Sequence, residues 1–388
     1  MSSTRASFEF ATAGRIVFGA GRVADLDALI AGAGSRALVC TGSRPERHQL
    51  VIERLGLPTA VVAISGEPTI DVARAAANAA KEHGADVVVA IGGGSVLDVG
   101  KAAAMLLGNG GDPLDYLEIV GRGQPISQPS VPYIAVPTTA GTGAEVTENS
   151  VLASPAHGRK ASLRSRFMLP RVALVDPLLT LGCPSAVTAS SGLDALTQCL
   201  EPLVSSQATP LTDSLTREGL RRAAAGLRTA YQDGSNVAAR TDMALCSLLG
   251  GLALANAKLG AVHGFAAVIG GMAAAPHGAV CAALLAAVVE VNVRSLRERE
   301  PENPALDRYV DAARILTRRP DAIIEDGIEW LRETIAVLNT PGLAKLGVRP
   351  DDANEIVAKA RTASSMRFNP IALTDTELHT ILEASTHP

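Results

Sequence analysis

Apolar positions in the first half of the chain fall in short runs separated by glycine and by stretches of helical period. Residues 36–41 (RALVCT), 59–64 (TAVVAI) and 133–136 read as strands. Residues 86–91 (DVVVAI) form a continuous apolar run, the pattern of a strand buried on both faces of a parallel sheet. Between these, 69–83 places Ala at helical spacing and stops at Gly84, and a second helical pattern spans 96–107. Strand, turn and helix repeated in this order predict an open α/β sheet. After Asp176-Pro177 the character changes, and β-branched runs almost vanish. Helices are predicted over 191–203, 212–233, 238–257, 279–293, 305–314, 321–338, 350–363 and 375–384. The domain boundary is expected near 181–185, giving an α/β domain over 1–183 and an all-helical domain over 184–388.

A length of 388 residues suits two domains, and 47% hydrophobic residues supply both with a core. Aromatics are only 3%, with Trp330 the one tryptophan, so those cores are built from Ala, Val, Leu and Ile. The formal charge of −4 carries no basic block, which argues against a nucleic-acid partner. Cys40, Cys183, Cys199, Cys246 and Cys281 are odd in number and include no CxxC, as expected of reduced thiols in a cytoplasmic protein. The opening residues lack the charged-then-apolar pattern of a secretory signal. The most apolar stretch, 279–291, is too short to span a bilayer and reads as a buried helix, so no membrane partner is expected.

Four groups of residues could carry chemistry. Gly92-Gly93-Gly94-Ser95-Val96-Leu97-Asp98 joins a buried strand to a helix. Its glycines allow close backbone approach, and the helix N-terminus offers free N–H groups to a diphosphate. It is not the GxGxxG fingerprint, so it suggests a nucleotide without specifying an ordinary Rossmann domain. The segment from Pro137 to Thr147 (PTTAGTGAEVT) combines hydroxyls and glycines after a strand, suiting either a nicotinamide–ribose site or a surface loop. Asp194 and Gln198 share one helix face at i, i+4, which alone is commonly a solvated face or a cap. His263 and His277, two of only seven histidines, fall in the most apolar region. Buried histidines are commonly satisfied core residues, but two of them with an upstream Asp could bind Fe²⁺ or Zn²⁺.

In order, IGGGSVLDVGKAAA, AVPTTAGTGAEVTENSVL, LVDPLLT, SGLDALTQCLEPLVS, LGAVHG, PHGAV and FNPIALTDTEL resemble the iron-containing alcohol dehydrogenase family over nearly the whole chain. The resemblance implies its dehydroquinate synthase-like fold, a Rossmann-like parallel sheet followed by an all-α domain, with the active site between the two. It implies hydride transfer between NAD(P) and a small carbonyl–alcohol pair, with a divalent metal polarising the substrate oxygen. By motif position the metal ligands are Asp194, Gln198, His263 and His277, with Asp194, His263 and His277 catalytic. Cofactor contacts fall on Gly42, Ser43, Gly93, Gly94, Ser95, Asp98, Thr138, Thr139, Thr142, Val151, Lys160 and Leu179. Substrate contacts fall on Asn149, Leu254, Lys258 and Phe265. The family also commonly forms homodimers, with residues 8–10 as a strand pairing across the dimer.

Three positions depart from the family pattern. Gln198 stands where the family has a third His, and a carboxamide is a weaker ligand than imidazole. Ala267 stands where the family often has a His near the nicotinamide, and Lys258 where a small residue is usual. A metal-free carbonyl reductase using His263 or His277 as general acid therefore stays open beside the metal reading. A dehydroquinate-synthase-type lyase would need more basic groups than Lys160 and Lys258 provide. After the 36–41 strand come Gly42, Ser43 and Arg44, with no carboxylate to reject a 2′-phosphate, so the cofactor reading leans to NADP(H). Lys258 hints at an acidic substrate, unless it points to solvent.

Overall fold

A computed structural model describes residues 7–273 and 275–387. By their contacts these divide into two units. Ala11–Thr139 with Gly143–Leu181 form one; the chain from Gly182 onward, with Ala140–Thr142 and the described residues before Ala11, forms the other.

The first unit is built on a parallel sheet of six strands: β1 (Ile16–Phe18), β2 (Ala37–Gly42), β3 (Thr59–Ile64), β4 (Val87–Gly92), β5 (Tyr133–Pro137) and, after a separate β6–β7 hairpin (Asn149–Ser154, Arg159–Arg164), β8 (Val172–Val175). The spatial order is β1-β8-β5-β4-β2-β3. Alternation along each strand explains the continuous apolar runs. Val87, Val89 and Ile91 enter one core with Val39 and Ile134. Val88 and Ala90 enter the opposite core with Leu38, Cys40 and the helices α3 (Ile70–His83) and α4 (Gly94–Asn109). Short helices α1 (Leu26–Ile30), α2 (Gln49–Glu53) and α5 (Pro113–Tyr116) complete this unit. The chain reverses its direction of sheet growth between β2 and β4, so Gly42 and Gly92–Gly94 flank the point where open α/β sheets hold ligands. The expected strands match observed ones. β1, β8 and the hairpin were not anticipated, being short or carrying charged residues on an exposed face, as in β7 (RKASLR).

The second unit contains nine α-helices among the described residues: α6 (Ser185–Val204), α7 (Pro210–Gln232), α8 (Val237–Ala257), α9 (Ala261–Met272), α10 (His277–Arg299), α11 (Ala305–Thr317), α12 (Ile324–Val337), α13 (Ala353–Ala360) and α14 (Asp375–Ala384). Every residue from Gly192 to Val204 is buried, so α6 is the central helix, packed by α7, α8 and α10. One continuous core of Ala, Val, Leu and Ile joins these helices. Helix α9 was not predicted, because Gly264, Gly270 and Gly271 interrupt its pattern. Each interior glycine costs a helix about 1 kcal/mol, and packing against α10 and α13 sustains it here. The apolar 279–291 run lies within a longer helix than expected. At 23 residues α10 is long and apolar enough to cross a membrane, as is α8, yet 78% and 61% of their most apolar windows lie buried inside the protein. That burial is what core helices of a bundle show.

Candidate active site

On α6, Asp194, Gln198 and Glu201 follow at i, i+4 and i+7, so all three project from one buried face. Helix α9 brings His263 to that face and the first residue of α10 brings His277. His263 Nε2 stands 3.4 Å from Asp194 Oδ1, and His277 Nε2 stands 3.8 Å from the same oxygen. The imidazole centroids are 5.4 Å apart. Gln198 Nε2 donates to Asp194 Oδ2 at 2.9 Å. The sequence-predicted Asp194, Gln198, His263 and His277 thus converge. One further residue joins them: Cys281, a turn beyond His277 on α10, with Sγ 3.9 Å from His263 Nε2 and 3.7 Å from His277 Nε2. The donors of Asp194, His263, His277 and Cys281 all lie within 4.8 Å of one another.

Two atoms of this cluster are buried without a hydrogen-bond partner, Asp194 Oδ1 and Gln198 Oε1. Leaving a buried acceptor unpaired costs about 1–3 kcal/mol, more for a charged one. An orphaned carboxylate oxygen facing two imidazole nitrogens is the donor set of a divalent cation. Burial alone would raise the Asp194 carboxyl, but His263, His277 and the Gln198 amide outweigh it and hold it down to about 2. Burial would likewise lower His263, but Cys281, Glu201 and Asp194 carry it well above the usual imidazole range.

The surroundings fix this geometry. His263 Nδ1 meets Glu201 Oε2 at 2.7 Å, and Glu201 Oε1 accepts from the Val262 N–H at 2.7 Å. A carboxylate on Nδ1 fixes the ring so that Nε2 points toward Asp194. Asn369 Oδ1 accepts from the Ala261 N–H at 3.1 Å and from Asn292 Nδ2 at 3.1 Å. Gly260 leaves room for this network: a Cβ there would stand 3.0 Å from both Asn369 Oδ1 and Glu201 Oε1, and both would have to shift. Gly278 lets α10 start against α6, since a Cβ would come 2.5 Å from the Ser190 carbonyl oxygen. Glu201 and Cys281 were missed from sequence, although both lie at helical spacing from residues that were found.

In the α/β unit, Gly42, Gly92–Gly94 and Thr138–Thr139 follow the carboxyl ends of the neighbouring strands β2, β4 and β5. Gly93 caps α4 with no side-chain hydrogen bond, leaving the first helical N–H groups available to an anion. Gly92 is demanded by packing, because a Cβ would meet Val96 Cγ2 at 2.5 Å. Thr139 lies against Gly93, and Asp98 Oδ2 accepts from the Val151 N–H at 3.3 Å. Burial raises the Asp98 carboxyl to about 6, with Lys101 and Val151 opposing. Lys160 pairs with Glu67 at 2.6 Å, and Leu179 packs half-buried against one core of the sheet. Ser43 and Arg44 are exposed and Ser95 is half-buried. Asn149 opens β6 in this unit, whereas the contacts of Thr142 place it with the helical unit.

The other expected substrate residues separate. Leu254 is half-buried on α8. Phe265 is fully buried in the helical core, because two residues turn roughly 200° around a helix and carry it away from the His263 face. Lys258 caps α8 with a left-handed φ of 66°, its Nζ donating to the Ala255 carbonyl at 3.1 Å. Residues 8–10 form no strand in the single chain, and Ala267 is exposed. All five cysteines are free thiols.

Comparison with known proteins gives two family matches. The iron-containing alcohol dehydrogenase model matches residues 13–177 and its C-terminal counterpart matches 188–386. Alcohol dehydrogenase 4 of Saccharomyces cerevisiae (strain YJM789) is 33% identical over 87% of this chain and 86% of its own length. A crystal structure of 1,3-propanediol oxidoreductase superposes with a TM-score of 0.89 at 29% identity, covering 98% of this chain and 100% of that one. Sulfoacetaldehyde reductase from Bifidobacterium kashiwanohense, solved in complex with NAD+, superposes at 0.84 with 26% identity, covering 97% and 98%.

Proposed function

The chain belongs to the iron-containing alcohol dehydrogenase family, and from that premise we propose that it transfers a hydride between NAD(P) and a small aldehyde or ketone–alcohol pair, with a divalent metal at Asp194, His263 and His277. The observation that carries this reading is Asp194 Oδ1, a buried carboxylate oxygen with no hydrogen-bond partner that faces two imidazole nitrogens. Bound there, Fe²⁺ or Zn²⁺ supplies a Lewis acid that polarises the substrate oxygen. Asp194 brings the negative charge, and Gln198 holds its other oxygen in place. Glu201 keeps His263 in one tautomer. Ala267 offers no ionisable atom to relay a proton.

The cofactor diphosphate would rest on the N-terminus of α4 at Gly93, Gly94 and Ser95, with Thr138, Thr139 and Asp98 toward the ribose and nicotinamide. At the end of β2, Gly42 has open space around it and Arg44 is exposed, which supports a preference for NADP(H). The catalytic efficiency measured with each cofactor checks this part: NADP(H) is expected to lead by about tenfold, a difference of about 1.4 kcal/mol, and an NAD(H) preference defeats it. Five free thiols support a cytoplasmic protein, and the family a homodimer, which light scattering would detect.

The main reading is tested by metal analysis of the purified protein, with activity on short aldehydes before and after chelation. A single divalent ion per chain, and activity lost to the chelator and restored by Fe²⁺ or Zn²⁺, are expected. Undiminished activity in metal-free protein overturns the metal reading.

A further inference from the structure

We infer that Cys281 is a metal ligand in this chain, completing an Asp-His-His-Cys set, and that Gln198 is a positioning residue for Asp194 rather than the fourth ligand. The inference rests on the reading that this centre holds a divalent metal. Four donor separations are 3.4 and 3.8 Å from Asp194 Oδ1 to the two Nε2 atoms, and 3.9 and 3.7 Å from Cys281 Sγ to the same nitrogens. With zinc–ligand distances of about 2.0–2.3 Å, the edges of a tetrahedron are about 3.3–3.8 Å. Four of the six edges therefore already stand close to coordination spacing, and the other two lie within 4.8 Å.

Local structure supports the same assignment. Cys281 follows His277 by four residues on α10, so both side chains share one face of that helix. Cys281 is fully buried, with both imidazole nitrogens as polar neighbours of its sulfur. The buried Cys199 and Cys246 sit differently, side by side at 3.9 Å within the apolar core. The Gln198 amide nitrogen is committed to Asp194 Oδ2, and its unpartnered Oε1 can accept from a substrate hydroxyl or a water.

With Gln198 as fourth ligand, Asp194 would be the one anionic donor on the dication; Cys281 would add a second, with the Glu201 carboxylate one residue removed on His263 Nδ1. As the sulfur–metal bond forms, the Cys281 S–H proton is released to solvent. Thiolate ligation also moves the site's preference from iron toward zinc and cobalt.

Cobalt titration of the metal-free, full-length protein provides the test. Wild-type protein is expected to show visible d–d bands and a near-ultraviolet thiolate-to-cobalt charge-transfer band. Cys281→Ala loses the charge-transfer band, and its zinc affinity, read by competition with a chelator, falls by more than the roughly 10–100-fold typical of losing an outer-shell partner. Gln198→Ala keeps the band. A band undiminished in Cys281→Ala overturns the proposal. Cobalt bound to wild type without a charge-transfer band overturns it while leaving the metal reading standing, and failure to bind cobalt removes both. X-ray absorption of the zinc-loaded wild type needs no variant: sulfur scattering at about 2.3 Å is expected, and its absence also overturns the assignment.

Discussion

Each unit buries charged side chains, and Lys101 in one and Asp194 in the other are treated in opposite ways. In the α/β unit Lys101 has no exposed surface, and its ammonium is fully answered. It donates to the carbonyls of Ala144, Thr147 and Asn149 at 2.8 Å each and to Thr147 Oγ1 at 3.0 Å. In the helical unit Asp194 is as deeply buried, yet its Oδ1 has no hydrogen-bond partner and faces His263 and His277 at 3.4 and 3.8 Å. The satisfied lysine ties α4 to the 144–149 segment. The carboxylate keeps one acceptor open to a ligand. The difference separates a buried charge kept for architecture from one kept for chemistry.

The largest expected effect follows from breaking the unsatisfied cluster. Asp194→Asn keeps the shape and removes the charge that draws a cation. Metal content is expected to collapse and kcat/KM to fall about 10³-fold, or about 4 kcal/mol, and the metal-free protein is expected to unfold at a lower temperature, because the contacts that hold the Asp194 carboxyl down to about 2 stabilise the folded ionised form. Elemental analysis, kinetics and calorimetry on one preparation check all three. Undiminished metal content in Asp194→Asn would place Asp194 with Lys101 as architecture.

Lys101→Met is the converse. It leaves three carbonyls and a hydroxyl without their donor, at an expected cost of about 3 kcal/mol in stability. Urea unfolding reads this directly, and the metal content of the folded fraction is expected to stay intact. An unchanged midpoint would show that water replaces the ammonium and that Lys101 ties nothing down.

The sequence displayed the unsatisfied cluster better than the satisfied one. Asp194 and Gln198 were visible by helical spacing, and His263 and His277 by rarity in an apolar region. The parallel sheet was visible in its uninterrupted apolar runs, and the glycine turn in its place after one of them. Lys101 was not visible, because a lone lysine inside KAAAMLL looks like a solvated position until the hairpin segment folds over it. Glu201 and Cys281 lay at i+7 from Asp194 and i+4 from His277, so their alignment was legible. Which helix would face them was not, because that depends on α9, whose glycines hid its periodicity. Phe265, expected near the substrate by motif position, is buried in the helical core.

The smallest effect distinguishes the two regions by pH. Glu145, buried near Lys101, has its carboxyl pushed by burial from 4.5 up to about 7, with a backbone N–H and Lys101 opposing. Between those values the folded chain holds a proton that the unfolded chain has lost. Stability therefore rises as pH falls from about 7 toward 4.5, by on the order of 1 kcal/mol. Asp194, held down to about 2, stays ionised throughout that window and adds nothing to the slope. Glu145→Gln is expected to reduce the acid-side gain to the part that Asp98, raised to about 6, contributes, whereas Asp194→Asn leaves the Glu145 part in place. Unfolding midpoints of the metal-free proteins at pH 7 and pH 5 give the comparison. An equal pH response in wild type and Glu145→Gln would mean that the carboxylate is solvated, and that the α/β unit buries its lysine without an acid that shares its proton.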